Sequence, residues 1–416
     1  MPTTTVFEQR EHMLVECAVT SGRWCLADGP VVVTQSPGST TLRLRAREGI
    51  AEFELDLDPE TALPRELRYR SGPNDETIRW SDWRPEGGLA VAHARELTND
   101  GDTSHQQVTS ARLVEPAPAA EFTQPTTRPD DAIFDAKAPS RLVGKLSRTR
   151  HLLVHGLLDG KDLGPWIFDS GAGTSVLTKR AGDQLAIESF GGVKIGGAGT
   201  GLVEASFVQP DELALGPMTL KHPRMSELDL SGLDSAMGEK LAGIAGYDVL
   251  LRAVARVDMK HGTVDLFDPR TFALEDVTWR PLTLHGNHPH VTCTFAHEGE
   301  EEAVFRIDTG APSVTVLFHS TWVKKLGLLE GRATMPFVGL GGVGGSTSAR
   351  AGKIPWFEVG GVTFDEPQVV FVTDESGALA DPWTAGTLGG GFLERFDLVF
   401  DYPHQRVGFV PHEASR

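Results

Sequence analysis

Cysteine is scarce in this sequence, with Cys17, Cys25 and Cys293 the three examples in 416 residues. Small secreted scaffolds depend on several cysteine pairs, so the chain is not built on a disulfide framework. Cys17 and Cys25 could be bridged or free. Cys293 lies in a strand-like run, where a small buried apolar residue is the simplest interpretation. Cysteine usage therefore does not fix the cellular compartment.

Positive charge and long apolar runs are also in short supply. The chain has 39 Lys and Arg residues against 57 Asp and Glu, which gives a formal net charge of −18. Nucleic acids and anionic membranes bind basic surfaces, so the composition argues against both as partners. No apolar stretch approaches the length of a membrane span, so we expect no stable membrane insertion. The first twelve residues lack a basic segment followed by an apolar one, so no signal peptide is visible, and we expect either a cytoplasmic protein or a targeting segment upstream of this start.

The sequence does contain an acidic motif that occurs twice. The two runs are Trp166-Ile-Phe-Asp169-Ser170-Gly171-Ala172 and Val304-Phe-Arg-Ile-Asp308-Thr309-Gly310-Ala311. In both, an aspartate stands between a strand-like run and a glycine turn, where a charge is costly unless it is used. The second occurrence makes a shared role the better explanation.

The two motifs lie in an internal repeat. Residues 243–258 align without a gap on residues 386–401, at an offset of 386 − 243 = 143. The aspartates are offset by 308 − 169 = 139, and each copy carries a glycine-rich segment, 195–202 or 338–345. A duplicated unit of short strands predicts two similar lobes that face each other, residues 141–272 and 273–416. The period is too long for a solenoid.

Two carboxylates brought together by such a duplication can hydrolyse a peptide bond without a metal or a cofactor. Like charges at short distance do not both ionise, so one carboxyl group keeps a proton and the other does not. The ionised group takes a proton from water while the protonated group polarises the carbonyl. Asp169 and Asp308 are the predicted catalytic pair. Gly171 and Gly310 allow the sharp turns, and the Ser170 and Thr309 hydroxyls can bond across to the partner loop.

This pattern resembles the two-lobed aspartic peptidases. Each Asp-Ser/Thr-Gly-Ala motif is followed by an apolar-apolar-glycine element, which ends at Gly246 or Gly389. The Gly-Ile-Ala-Gly-Tyr-Asp-Val-Leu stretch and the Phe-Asp-Leu-Val-Phe-Asp-Tyr-Pro ending are similar to the retropepsin-like bacterial branch. The resemblance covers about residues 141–412. It implies a closed β fold in each lobe, a cleft for a peptide or protein substrate, and a monomer whose lobes pair within one chain.

The resemblance also implies flap hairpins over the cleft, and the glycine-rich segments are the candidates. Their predicted substrate-binding residues are Gly197, Gly199, Gly341 and Gly342. The only tyrosines are Tyr69, Tyr247 and Tyr402, so neither segment carries the flap tyrosine of pepsin-like enzymes. Pepsin-type specificity is therefore not expected. A further departure is Pro312, which accompanies an apparent one-residue insertion in the second loop.

Residues 1–115 are predicted to form a separate curved β-sheet domain. From residue 13 onward the pattern favours strands throughout, as in the alternating runs 41–46 and 52–57, and shows no long helical period. The strand rhythm resembles that of lipoprotein-sorting carriers, which implies an extracytoplasmic location. Residues 116–140 are rich in Pro, Ala, Thr and Asp and are predicted to be a linker.

Two other kinds of site fit the residues less well. His285, His288, His290 and His297 with Cys293 suggest zinc, but His290 and Cys293 fall on opposite faces of one strand and no tetrahedral spacing emerges. No metal is therefore expected. The glycine-rich segments do not end in Lys-Ser/Thr and do not open a helix, so phosphate binding is not expected either.

The sequence thus predicts a mainly β protein: a curved-sheet domain, then two pseudo-symmetric aspartic-peptidase lobes. The predicted function is an aspartic endopeptidase that activates water with Asp169 and Asp308. The alternative is a catalytically inactive protein that binds peptide or lipid with the inter-lobe cleft and the N-terminal sheet. A third possibility is activity only after removal of residues 1–140.

Overall fold

The computed structural model describes residues 8–36, 39–47, 51–71, 74–99, 101–112, 114, 130–274 and 277–412. The fold is mainly β, as the sequence predicts. The chain divides into two compact units, residues 4–125 and residues 126–416. Within the described residues, no helix is long and apolar enough to cross a bilayer.

The N-terminal unit is one helix followed by an antiparallel meander. The seven strands lie in chain order in a single sheet, so each strand pairs with the next. The elements are α1 (Glu8–Thr20), β1 (Val31–Gln35), β2 (Thr41–Ala46), β3 (Phe53–Leu57), β4 (Pro64–Ser71), β5 (Asn74–Glu86), β6 (Leu89–Asn99) and β7 (Asp102–Gln107), with a short 3₁₀ turn at Arg23–Cys25.

Helix α1 corrects the expectation that residues from 13 onward are all β. Val15, Ala18 and Val19 are 0%, 2% and 1% exposed, and their spacing places them on one helical face. They pack in the same apolar cluster as Phe53 and Leu55 of β3. The apolar stripe is only three residues long, which is too little to establish a helical period in the sequence.

Lobe 1 is built around a sheet with the order β13-β14-β17-β12-β18-β11-β10-β15-β16-β8, with β9 beside β10. Its strands are β8 (Ala132–Phe134), β9 (Gly144–Leu146), β10 (Leu152–Leu158), β11 (Lys161–Phe168), β12 (Val176–Thr178), β13 (Phe190–Gly196), β14 (Leu202–Val208), β15 (Glu212–Leu215), β16 (Met218–Lys221), β17 (Met225–Leu228), β18 (Gly243–Ala245), β19 (Val254–Asp258) and β20 (Thr263–Phe267). Its helices are α2 (Lys179–Leu185), α3 (Ser231–Met237) and α4 (Tyr247–Leu250).

Lobe 2 repeats this order as β26-β29-β32-β25-β33-β24-β23-β30-β31, with β22 beside β23. Its strands are β21 (Thr278–Pro281), β22 (Thr283–His285), β23 (His288–Ala296), β24 (Glu300–Asp308), β25 (Val316–Phe318), β26 (Met335–Phe337), β27 (Gly341–Gly342), β28 (Gly345–Ser346), β29 (Ala349–Lys353), β30 (Trp356–Val359), β31 (Val362–Asp365), β32 (Gln368–Val372), β33 (Gly386–Gly389), β34 (Phe396–Asp401) and β35 (Arg406–Pro411). Its helices are α5 (Ser320–Lys325) and α6 (Gly390–Leu393), with 3₁₀ turns at Ala378–Ala380 and Tyr402–His404.

The last part of the predicted linker lies inside lobe 1. Strand β8 pairs antiparallel with β16. Asp131, just before it, forms a two-pronged ion pair with Arg252, with N–O distances of 2.6 and 2.7 Å. The lobe therefore begins earlier than residue 141. Residues 116–129 of the predicted linker lie outside the described part of the chain.

A third sheet joins the two lobes. Its order is β20-β19-β34-β35-β21, so strands of lobe 1 lie directly beside strands of lobe 2. The junction is the antiparallel pair β19 and β34, with Val254 opposite Asp401. One apolar core continues through it, from Trp166 and Phe168 of lobe 1 to Phe305 of lobe 2.

Candidate active site

Two equivalent strands deliver the two aspartates. Trp166, Ile167 and Phe168 of β11 are at most 2% exposed, and β11 runs parallel to β18. Asp169 comes directly after β11, and its backbone N–H donates to the carbonyl of Ala245 at 3.0 Å. In lobe 2, β24 runs parallel to β33 and ends at Asp308. The buried strands thus fix where each carboxylate emerges.

The structure brings Asp169 and Asp308 together, each against the glycine of the other loop. A Cβ built on Gly171 would lie 2.4 Å from Cγ of Asp308, and one built on Gly310 would lie 2.3 Å from Cγ of Asp169. Any side chain at either glycine would displace the opposite carboxylate, so only glycine fits. The Gly171 N–H also donates to Oδ1 of Asp169 at 2.7 Å.

Hydrogen bonds of Ser170 and Thr309 join the two loops that carry the aspartates. The Ser170 N–H donates to Oγ1 of Thr309 at 2.9 Å, and the Thr309 N–H donates to Oγ of Ser170 at 3.0 Å. Each hydroxyl then donates across to a strand of the other lobe, Ser170 to the Ile307 carbonyl at 2.8 Å and Thr309 to the Phe168 carbonyl at 3.1 Å. All these groups are satisfied although both side chains are buried.

The electrostatics of the pair are asymmetric. Burial, and then the nearby charge of Asp308, raise the pKa of Asp169 above that of an ordinary carboxyl group. Burial also raises the pKa of Asp308, but the positive charge of Arg306 opposes this. Two negative charges in one buried site repel each other. The pair therefore holds one proton over a wide pH range. The proton is favoured on Asp169, and the negative charge on Asp308.

Backbone elements pack behind each loop in the same way. The Tyr247 N–H donates to the Ala172 carbonyl and the Gly390 N–H to the Ala311 carbonyl, both at 3.0 Å. A Cβ on Gly246 would lie 2.8 Å from that Ala172 oxygen. In the second loop the same support survives the insertion at Pro312, so the irregularity there does not displace Asp308.

The two glycine-rich segments form hairpins whose tips meet. The first tip lies between β13 and β14, and the second contains β27 and β28. The N–H groups of Gly199 and Gly201 donate to the carbonyls of Val343 and Gly344, at 3.0 and 2.9 Å.

All four predicted flap glycines lie in this tip region. A Cβ on Gly197 would lie 2.7 Å from the Val343 oxygen, and one on Gly199 would lie 2.1 Å from the Gly344 carbonyl carbon. On the other hairpin, a Cβ on Gly341 would lie 2.5 Å from the Gly345 oxygen, whereas one on Gly342 would lie 3.4 Å from Ala198. Close approach of the two hairpins therefore requires glycine at Gly197 and Gly199, whereas Gly341 is confined by its own hairpin and Gly342 is in ordinary contact.

Two histidines that the sequence analysis did not assign to the site lie against the loops that carry the two aspartates. His151 is hydrogen-bonded to the backbone of Gly310, and His288 to that of Gly171. Next to His288, Asn287 donates from Nδ2 to the Gly173 carbonyl at 3.0 Å. Each histidine is fixed by its own lobe and touches the loop of the other. Aligning the two copies upstream of the motifs pairs these histidines. His151 lies two residues before Leu153, which is opposite Ile167 of β11. His288 lies two residues before His290, which is opposite Arg306 of β24.

The histidines considered for zinc do not converge on one point. His290 lies 3.0 Å from the His288 carbonyl through Nδ1 and 3.2 Å from Oγ1 of Thr384 through Nε2, while Cys293 packs in the core. Among the described residues, Asp258, Asp397 and His412 do cluster as metal ligands would. There, however, Arg256 bonds to the Asp397 carboxylate, and His261 to that of Asp258, so the acids already have partners.

Comparison with known proteins agrees with this geometry. No curated protein matches the chain significantly, and the resemblance of the N-terminal part to lipoprotein-sorting carriers is not confirmed. The aspartyl protease family model matches residues 154–249 and 291–392, one region in each lobe. Each region contains one of the two facing aspartates, so the chain has a two-lobed aspartyl-protease-like architecture.

Proposed function

We propose that this protein is an aspartic endopeptidase of the retropepsin-like type, acting on peptides or proteins. The observation that carries the proposal is the reciprocal packing of Asp169 and Asp308, each against the opposite loop's glycine. Two lobes contribute one carboxyl group each, and the Ser170 and Thr309 bonds hold the pair in register. That is the arrangement a shared, activated water requires.

The position of Arg306, two residues before Asp308, assigns the roles within the pair. Asp308, beside the positive charge of Arg306, is the ionised group and takes a proton from water as the water oxygen attacks the carbonyl carbon. Asp169 donates its proton to the carbonyl oxygen, which gives a tetrahedral diol. Collapse of the diol breaks the C–N bond, and the amine leaves with a proton from the pair. Neither metal nor cofactor enters this sequence.

A peptide-library digest across pH tests the proposal. Asp169→Asn and Asp308→Asn each remove one ionisable oxygen while keeping side-chain size, so we expect cleavage to fall by at least about a hundredfold. Asp211→Asn is the matched control, because Asp211 is 89% exposed and outside the site. Equal cleavage by wild type and both site variants would sink the proposal. Binding of a pepstatin-like inhibitor without turnover at any pH would instead favour a non-catalytic peptide-binding protein.

A truncated chain tests whether peptidase activity depends on the N-terminal unit, and the position of the truncation matters. Strand β8 and the Asp131–Arg252 ion pair belong to lobe 1, so removal of residues 1–140 would damage the lobe itself. A chain that begins at residue 126 keeps both and follows the division between the two compact units. Higher activity of that shorter chain than of full-length protein would indicate that the N-terminal unit restrains the peptidase.

A further inference from the structure

The two halves of the candidate site differ in one equivalent residue. Ile167 and Arg306 each stand two positions before the aspartate of their lobe. Alternate residues of a strand share a face, so each side chain lies on the same side of its strand as the carboxylate, roughly 7 Å away along the chain. If the pair acts on a peptide as proposed above, the residues on either side of the scissile bond lie near Ile167 on one side and near Arg306 on the other.

The neighbours of these two residues differ in the same way. In lobe 1, Ile167 lies opposite Leu153 on β10 and Ile244 on β18. In lobe 2, Arg306 lies opposite His290 and Thr387, on the equivalent strands β23 and β33. The identical register rules out a shift of the strand as the cause. All three positions are apolar in lobe 1 and polar in lobe 2, so the difference extends beyond the single pair Ile167 and Arg306.

The lobe 1 patch continues towards its flap. Ile167, Leu153 and Ile244 belong to one apolar cluster, against which Ile195 of β13 and Val203 of β14 pack. The part of lobe 1 that this hairpin covers is thus apolar, whereas the equivalent part of lobe 2 is polar.

Arg306 acts on the ionised Asp308 through its charge but forms no direct ion pair with it. Within the described part of the chain it forms no ion pair, and its buried Nε has no hydrogen-bond partner. His290 and His319 beside it are kept neutral, since burial and the charge of Arg306 lower the pKa of both. A half-buried guanidinium whose Nε has no hydrogen-bond partner is costly, and a carboxylate from outside would offset that cost with a two-pronged bond.

We infer that Arg306 makes the lobe 2 side of the cleft selective for an acidic side chain, Asp or Glu, next to the scissile bond, opposite an apolar side chain at Ile167. This rests on the peptidase function proposed above. It names the substrate class: peptides in which an acidic and an apolar residue flank the cleaved bond. The specificity lies in one lobe because the duplication has diverged at this position.

Peptide pairs that differ only by Glu or Gln at the flanking positions test it, at a pH well above the ordinary glutamate pKa of about 4.3. We expect kcat/KM for the Glu peptide to exceed that for Gln by about tenfold or more in wild type. Arg306→Ile, which copies lobe 1, should bring this ratio to near one, and Arg306→Lys should keep part of it. Arg270→Ile makes the same change in net charge at an exposed site and should leave the ratio unchanged.

The ratio separates this inference from the proposed function. A general loss of turnover in Arg306→Ile, through Asp308, would lower both rates and cancel in the ratio. Wild-type cleavage with a Glu/Gln ratio near one, or a ratio that Arg306→Ile leaves intact, overturns the role of Arg306 and leaves the peptidase proposal standing. If no peptide is cleaved, binding of non-hydrolysable Glu and Gln analogues to wild type decides: tighter binding of Glu by about tenfold supports the inference, and equal binding overturns it.

Discussion

His151 and His288 stand at equivalent positions of the two lobes, and each is hydrogen-bonded to the backbone of the glycine that follows the aspartate motif of the opposite lobe. Nδ1 of His151 lies 2.8 Å from Oγ1 of Thr149, so the other ring nitrogen is available for the Gly310 backbone. A neutral ring satisfies both contacts. The lobes are thus joined beside the site by a pair of uncharged imidazoles.

This pairing predicts loss of stability in acid. Burial lowers the pKa of His151 to about 4 and that of His288 to about 3, and it lowers the pKa values of His290 and His319 as well. In the unfolded chain, imidazoles take up protons near pH 6.5. Their contribution is therefore complete above about pH 6.5 and is lost as the pH falls towards 4 and 3. We expect the melting temperature to drop steadily over that range.

Histidine variants check the cause of that drop. The double variant His151→Asn and His288→Asn keeps a hydrogen-bond donor but does not titrate, so its melting temperature should depend less steeply on pH below 6.5. His222→Asn is the control, because His222 is 68% exposed. If the melting temperature of the double variant depends on pH as steeply as that of wild type, other groups cause the loss of stability in acid.

The aspartate pair predicts an opposite trend above about pH 4. The raised pKa of Asp169 means that the folded protein holds a proton which the unfolded chain releases above about pH 4. Stability from this site is greatest below that pH, declines as the pH rises, and levels off above the raised pKa of about 8. Asp169→Asn removes the titration, so its melting temperature relative to that of wild type should increase between pH 4 and 8 and then level off. A constant difference across that range would contradict the assignment.

The bonds between Ser170 and Thr309 predict a large effect for a small change. Thr309→Val keeps the shape but leaves the buried Ser170 N–H and Phe168 carbonyl without their partner. We expect the free energy of unfolding in urea to fall by about 3 kcal/mol. Thr363→Val, at an exposed position of β31, should change it by less than about 0.5 kcal/mol. Similar values for the two variants would mean that these bonds contribute little.

Contact between the flap tips predicts sensitivity at Gly199. A Cβ there would lie 2.1 Å from backbone of the other hairpin, which cannot give way as a flexible side chain would. Gly199→Ala should separate the tips, so amide hydrogen exchange in residues 197–201 and 343–345 should quicken. Gly192→Ala is the matched control, because nothing lies within 4 Å of its Cβ position. Unchanged protection in Gly199→Ala would show that the tips do not depend on this contact.

The aspartate pair could be found in the sequence because its evidence is local and occurs twice. A strand, a charge and a glycine turn stand together in each copy, and the repeat itself indicates that the copies face each other. Helix α1 was missed because its buried stripe is short, and β8 because its partner β16 lies far along the chain.

The remaining site residues depend on how the lobes dock. Nothing in the sequence around His151 shows that its ring reaches Gly310. Arg306 was visible only as one polar residue in an apolar strand. The strand register shows that Arg306 occupies in lobe 2 the position that Ile167 occupies in lobe 1, and its proposed role comes from that comparison.

The sheet shared by β19 and β34 has a consequence for how the molecule opens. Five residue pairs bond the lobes along this junction, and Arg256 bridges it to Asp397. Rotating one lobe away from the other would break this β ladder, so we expect the space between the lobes to open by movement of the hairpin tips and not by rotation of the lobes. Residues 130–412 should accordingly melt in one cooperative transition, since neither half keeps a complete sheet without the other.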